Sequence, residues 1–190
     1  MTVEFEPDYH ETEEAWPIVY NLGRLCLEWN MVEQFFTALI WHLLGDYDVG
    51  MAITGGLGNQ SRADIVLNLA RQQPNSEKLV REVEHACKAF NILRENRNIL
   101  VHSHSIFPKD GATVHWRRAT GRGPIGHLTT AASFSDLEEQ IAAIVTLGLF
   151  TTDLVGMINA QRTGKDYERH VASFQLPKRL AHVPEESFQD

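Results

Sequence analysis

The feature that most restricts the fold is the spacing of apolar residues between Pro17 and Leu44. In PIVYNLGRLCLEWNMVEQFFTALIWHLL the residues Ile18, Leu22, Leu25, Trp29, Val32, Phe36, Ile40 and Leu43 recur at intervals of three and four, the period that lines side chains along one face of an α-helix. Pro17 stands in the first turn, where its missing N–H is not needed, and Gly45 supplies the stop. A second apolar line, Leu27, Met31, Phe35 and Ala38, follows the same helix. A helix with two apolar faces must be covered from two sides, and one of the covering partners is expected to be another subunit.

The following stretch, DYDVGMAITGGLGNQSRADIVLNLARQQP, reads as a pair of helices broken at its glycines and stopped by Pro74. Leu79, Val83, Ala86, Phe90, Leu93 and Leu100 then mark a third long helix with Asn75 or Ser76 as its cap. The period changes after it. SIFPKDGATVHWRRATGRGPIGHLTTAASF has a turn at Lys109-Asp110-Gly111 between apolar runs, which predicts a β-hairpin and a third short strand over about 104–134. A last long helix opens with Ser135 and Glu138 in capping-box spacing and ends at Gly164. The expected architecture is a mainly α, up-and-down bundle of four to five helices with a small β-hairpin insertion before the last long helix. One helical domain covers 1–164, and residues 165–190, polar with two prolines and no sustained period, are expected to be a tail or a partner-binding arm.

Composition narrows the function classes. The chain has 190 residues, 43% apolar and 22% charged, which suits one well-buried core. No uninterrupted apolar run reaches the ~18 residues of a bilayer-spanning segment, and the opening MTVEFEPDYHETEE lacks the basic start of a signal peptide. These features predict a cytoplasmic protein with no membrane partner. Cys26 and Cys87 lie among apolar residues at helical spacing, so a disulfide framework is not expected. A net charge of −8 argues against non-specific coating of nucleic acid. Between Lys88 and Arg122, however, seven basic residues meet only two acidic ones, leaving −13 for the remainder. Such a basic window can accept a phosphate-bearing ligand at one place, or it can simply be solvated charge on a hairpin.

Within that window ENRNILVHSHS, residues 95–105, carries polar groups at the end of a buried-looking helix. At 100° per residue Arg97 falls in line with Leu79, Val83 and Phe90, so its guanidinium needs a partner. A carboxylate such as Glu28, or the carbonyls of the helix end, would meet that need without any chemistry. Arg94, Asn98 and His102 are four apart and form one polar ridge beside Arg97.

Arg97-Asn98-Ile99-Leu100-Val101-His102 resembles the R-x-x-x-x-H signature of the HEPN superfamily (higher eukaryotes and prokaryotes nucleotide-binding), in which a polar residue commonly follows the arginine. The helices from about Pro17 to Gln161 fit that family's plan; the C-terminal segment is not covered. The resemblance implies a homodimer that brings two motifs into one cleft and, in many members, a ribonuclease that needs no metal or other cofactor, some of them toxins or defence effectors. It implies His102 as general acid or base, Arg97 as the phosphate and transition-state contact, and Asn98 as an orienting group. Arg94, Glu28 and His104 are expected to bind substrate or support these three, with Asn21 as a further supporting candidate. In members modified by a partner nucleotidyltransferase a tyrosine stands two residues after the histidine; His104 occupies that place, so the resemblance does not extend to that pairing. Other members bind RNA or a nucleotide, or only dimerise, without catalysis.

Other signals point elsewhere or nowhere. His102, His104 and His115 have no cysteine and no firmly spaced carboxylate to complete a metal site. Gly55-Gly56-Leu57-Gly58 neither follows a strand nor ends in a phosphate-loop lysine. No Gly-x-Ser-x-Gly elbow occurs, and neither cysteine is expected to have the polar, basic surroundings a nucleophile needs. Trp116, between His115 and Arg117, suits either base stacking or packing on the bundle.

Overall fold

Five helices carry the chain in a computed structural model that describes residues 16–74, 76–106, 113–119, 127–171 and 173–183. α1 runs Trp16–Leu44, α2 Tyr47–Thr54, α3 Asn59–Arg71, α4 Glu77–His102 and α5 Phe134–Thr163. Strands β1 (His104–Ile106), β2 (Thr113–Ala119) and β3 (His127–Ser133) fall between α4 and α5, and β4 (His182–Val183) follows α5. The mainly helical fold and its β-insertion are those the hydrophobic period requires. The expected turn at Lys109-Asp110-Gly111, the cap candidate Asn75 and the acidic opening lie outside the described residues.

The chain divides into two compact units. One gathers Met1–Cys26, Glu95–Ile141 and Arg179–Asp190; the other takes Leu27–Arg94 and Ala142–Lys178. Helices α1, α4 and α5 therefore contribute residues to both.

The second unit buries Trp29, Val32, Phe36 and Ile40 of α1 with Val83, Phe90 and Leu93 of α4 and Leu147, Phe150 and Leu154 of α5. Phe90 is at its centre, stacked on Phe36 at 4.1 Å and on Trp29 at 4.9 Å between ring centroids. Offset aromatic contacts of this kind add to the area they bury. Gly45, at φ 75°, ends α1. Arg162 Nη2 and Gln73 Nε2 donate to the Leu43 carbonyl at 3.0 and 3.1 Å, satisfying an acceptor that a helix end leaves open. Cys87 is buried and its Sγ lies 3.4 Å from the Ala63 carbonyl. Burial, helped by Asp64 and Glu84 and opposed by Arg71, pushes its thiol up to about 12, so it is a packing residue rather than a nucleophile.

The first unit contains an antiparallel sheet in the order β1-β2-β3-β4. Val114 and Trp116 on β2 and Thr130 and Ala132 on β3 are buried, with Val114 opposite Ala132 and Trp116 opposite Thr130. The two-residue alternation puts Trp116 in the core at 1% exposure, which removes it as a base-stacking platform.

Three features depart from expectation. The box that starts α5 is Ser133 with Asp136, two residues before Ser135 and Glu138. Ser133 N donates to Asp136 Oδ2 at 2.8 Å and Asp136 N to Ser133 Oγ at 3.1 Å. Two overlapping Ser-x-x-acid frames occur here, and the end of β3 selects the earlier. Next, α5 is long and apolar enough by composition to cross a bilayer, half of the relevant stretch being buried; Thr151, Thr152 and Asp153 interrupt it as an apolar run.

The third concerns the described residues after Gly164, 165–171 and 173–183, which are held to the helices and the sheet by specific contacts. In the second unit Tyr167 Oη, His170 Nδ1, His170 N and Val171 N donate to the Asp153 carboxylate of α5 at 2.8, 2.9, 3.1 and 2.6 Å. Arg169 pairs with Glu82 at 2.9 Å, and Phe174 packs on Phe150 and on His85, whose ring nitrogen donates to the Phe174 carbonyl. In the first unit β4 adds to β3, with Thr129 opposite Val183 and Thr130 opposite His182.

Candidate functional site

The last two turns of α4 hold the polar residues singled out from sequence. Asn96 anchors them. It is 2% exposed, donates from Nδ2 to Gln140 Oε1 at 2.8 Å and accepts at Oδ1 from Leu180 N at 3.1 Å. A buried amide satisfied on both sides fixes the rotation of the helix around it, and thereby the directions of Arg97 and Asn98.

Arg97 is half-buried, and its bonds run along α4 itself. Nη1 donates to Asn98 Oδ1 at 3.2 Å and reaches His102 Nε2 at 2.9 Å. A guanidinium only donates, so Nε2 of His102 accepts with its lone pair, and the imidazole in this arrangement is neutral with its proton on Nδ1. Arg97 Nε is buried and has no hydrogen-bond partner among the described residues. His102 closes the helix and is exposed, so it is open to a ligand from outside.

The supporting residues expected from sequence divide. His104 lies exposed on β1, opposite Arg117 of β2, while His115 is opposite Ile106. Among the described residues no three His, Cys, Asp or Glu side chains gather as a metal-ligand group. Arg94 and Glu28 belong to the second unit. There Arg94 Nη1 donates to Gln60 Oε1 at 2.8 Å, and Glu28 lines a cavity of about 170 Å³ with Met31, Phe35 and Leu149. Asn21 is buried. Hydrogen bonds join Arg97, Asn98 and His102, and the guanidinium is engaged within α4 rather than by the Glu28 carboxylate considered above.

Beside Asn98 the first unit contains a cavity of about 340 Å³. Glu95, Asn96, Asn98 and Ile99 of α4 form one wall and Arg118 of β2 a second. Arg179, Leu180 and His182 close it from the C-terminal segment. Arg179 is ion-paired with Glu95, and His182 Nδ1 is hydrogen-bonded to Thr130 Oγ1 at 3.0 Å. Sequence reasoning missed Arg179 and His182 because a two-residue strand is too short to show a period. Arg118 was visible only as one of the basic residues of the 88–122 window.

Comparisons with protein-family models, with curated proteins and with solved structures give no match.

Proposed function

We propose that this chain is a metal-independent endoribonuclease of HEPN type, working as a homodimer. The observation that carries the reading is the contact of Arg97 Nη1 with both His102 Nε2 and Asn98 Oδ1. It pairs a permanent forked cation with an imidazole that holds a free-base nitrogen at an accessible helix end. Those are the two groups that RNA transesterification needs. A phosphate bound by Arg97 draws the guanidinium to its oxygens and releases Nε2 of His102 to accept the 2′-hydroxyl proton. The 2′-oxygen then bonds to phosphorus, the bond from phosphorus to the 5′-oxygen breaks, and a protonated imidazole returns a proton to that leaving oxygen. The products are a 2′,3′-cyclic phosphate and a 5′-hydroxyl. Asn98, sharing the guanidinium with His102, orients Arg97 for the phosphate. A second copy supplies a second imidazole, so that one His102 acts as base while the other acts as acid.

The test is cleavage of an end-labelled single-stranded RNA in excess EDTA by wild-type protein and by His102→Ala prepared identically. Cyclic-phosphate ends from the wild type and none from the variant support the assignment. Equal activity in both, or none in either, replaces it with an RNA- or nucleotide-binding module in which the same three residues serve only as a phosphate contact.

A further inference from the structure

We infer that the cavity between α4, β2 and the C-terminal segment is a nucleobase pocket, which seats the base next to the phosphate held by Arg97 and His102. The inference rests on the ribonuclease reading for the polymer the base belongs to, and on the cavity itself for the base. On α4, Glu95, Asn98, Ile99 and His102 follow at three and four residues and share one helix face. The cavity wall therefore leads directly to His102. Asn98 to His102 is about one helical turn, ~5.4 Å, a step comparable with that from a nucleotide's phosphate to its base.

The lining distinguishes a base from a second phosphate. Ile99 of α4, buried, and Leu180 of the C-terminal segment, half-buried, give the cavity apolar lining, which suits an aromatic ring better than a hydrated anion. Glu95 places a carboxylate in the wall and engages Arg179, so one of the two lining guanidiniums is already paired and a carboxylate faces any bound anion. Donors and acceptors remain for a base edge. Asn98 Oδ1 accepts from Arg97, while its amide nitrogen makes no hydrogen bond among the described residues and can donate to a ligand. His182 is held through Nδ1 by Thr130, and its other ring nitrogen remains available to a ligand. Arg118 is exposed at the rim, where a guanidinium plane can stack on a base. A volume of about 340 Å³ falls within the small-molecule range of ~300–1,000 Å³.

The test uses the full chain and three probes: cytidine 3′-monophosphate, guanosine 3′-monophosphate and inorganic phosphate. Binding is measured by calorimetry, and the His182 ring proton signals are followed by NMR. At least one nucleotide is expected to bind tenfold or more tighter than phosphate and to shift the His182 signals, which phosphate leaves in place. Arg118→Ala, at an exposed strand position, should weaken the nucleotide about fivefold or more without changing phosphate binding. His182→Ala should do the same, with thermal melting confirming that β4 has not been lost. Nucleotide and phosphate binding alike with unmoved His182 signals would overturn the pocket. Nucleotide-specific shifts in a protein that does not cleave RNA would leave the pocket standing and sink the ribonuclease; cleavage with unmoved His182 signals would do the reverse.

Discussion

Arg97 and His102 are five apart, about 140° around a helix, so the contact depends on the length of one side chain rather than on a shared face. Arg97→Lys keeps the charge but loses the fork that serves Asn98 and His102 together. Under the proposed mechanism Arg97→Ala should lower kcat by ~100-fold or more, as loss of a transition-state donor does, while folding stability changes by about 1 kcal/mol or less. Single-turnover cleavage and urea unfolding of the same preparations check both halves. A different polar node has a structural role. Asp153 is 1% exposed, and burial, the largest influence, opposes its ionisation. Hydrogen bonds from the His170 ring, Val171 N, Tyr167 and His170 N outweigh burial and bring the carboxyl from 3.8 to about 2. Because the folded value is the lower one, this stabilisation is complete above the unfolded value and disappears as pH falls through the folded one. A shift of that size corresponds to about 2 kcal/mol by linkage. Urea unfolding from pH 5 to pH 2 should show a decline that Asp153→Asn flattens; an unchanged slope would remove Asp153 from the clamp. Of the candidate residues, Arg97 stood out in the sequence by lying in line with an apolar seam and Asn98 and His102 by spacing, but the hydrogen bonds that join the three depend on side-chain reach, which a helical wheel does not show. The partner of Arg94, Gln60 on α3, was not legible, because a wheel of one helix carries no information about the side chains of another.

Among elements, the helices were legible because an apolar face repeats many times over 25 or more residues, as in α1, α4 and α5. Their boundaries were less so, because a cap is decided by one or two hydrogen bonds. Ser133→Ala should cost about 1 kcal/mol through loss of the cap of α5, whereas Ser135→Ala should cost a few tenths at most; equal effects in thermal melts would return the start of the helix to Ser135. The segment after Gly164 was not legible at all, because its anchors are single residues, Tyr167, Arg169 and Phe174, each meeting a different partner without a repeat. Gly156 makes one of these contacts possible: a Cβ there would run into the Tyr167 ring. Gly156→Ala gains helix propensity worth up to ~1 kcal/mol, yet it must displace Tyr167 from Asp153. The expected result is net destabilisation together with faster tryptic cleavage at Lys165 and Arg169, read by mass spectrometry. A variant more stable than wild type and equally resistant would show that Tyr167 adjusts at no cost.

For the molecule as a whole, the N-terminal half of the second apolar line of α1 stands exposed among the described residues, while Phe35 and Ala38 further along it are half-buried. Leu27 and Met31 are 69% and 53% exposed, and Leu149 of α5, which lines the same cavity as Met31, is 55% exposed. Under the homodimer reading a second copy covers this face, since an apolar surface of that kind on one chain marks a contact site. Met31→Glu should then convert the protein to a monomer in sedimentation velocity while leaving its melting behaviour two-state. The mechanism makes a sharper demand on such a dimer. If one His102 removes the 2′-hydroxyl proton while the other protonates the leaving oxygen, neither imidazole suffices alone. Mixed dimers with one wild-type and one His102→Ala subunit, purified by separate affinity tags, should therefore retain only a few per cent of wild-type cleavage or less. Retention of about half would mean that each subunit completes the reaction by itself, with one histidine serving in turn as base and acid. The distinction cannot come from a single helix end, because residues five apart on one chain specify the groups available and not how many copies must meet.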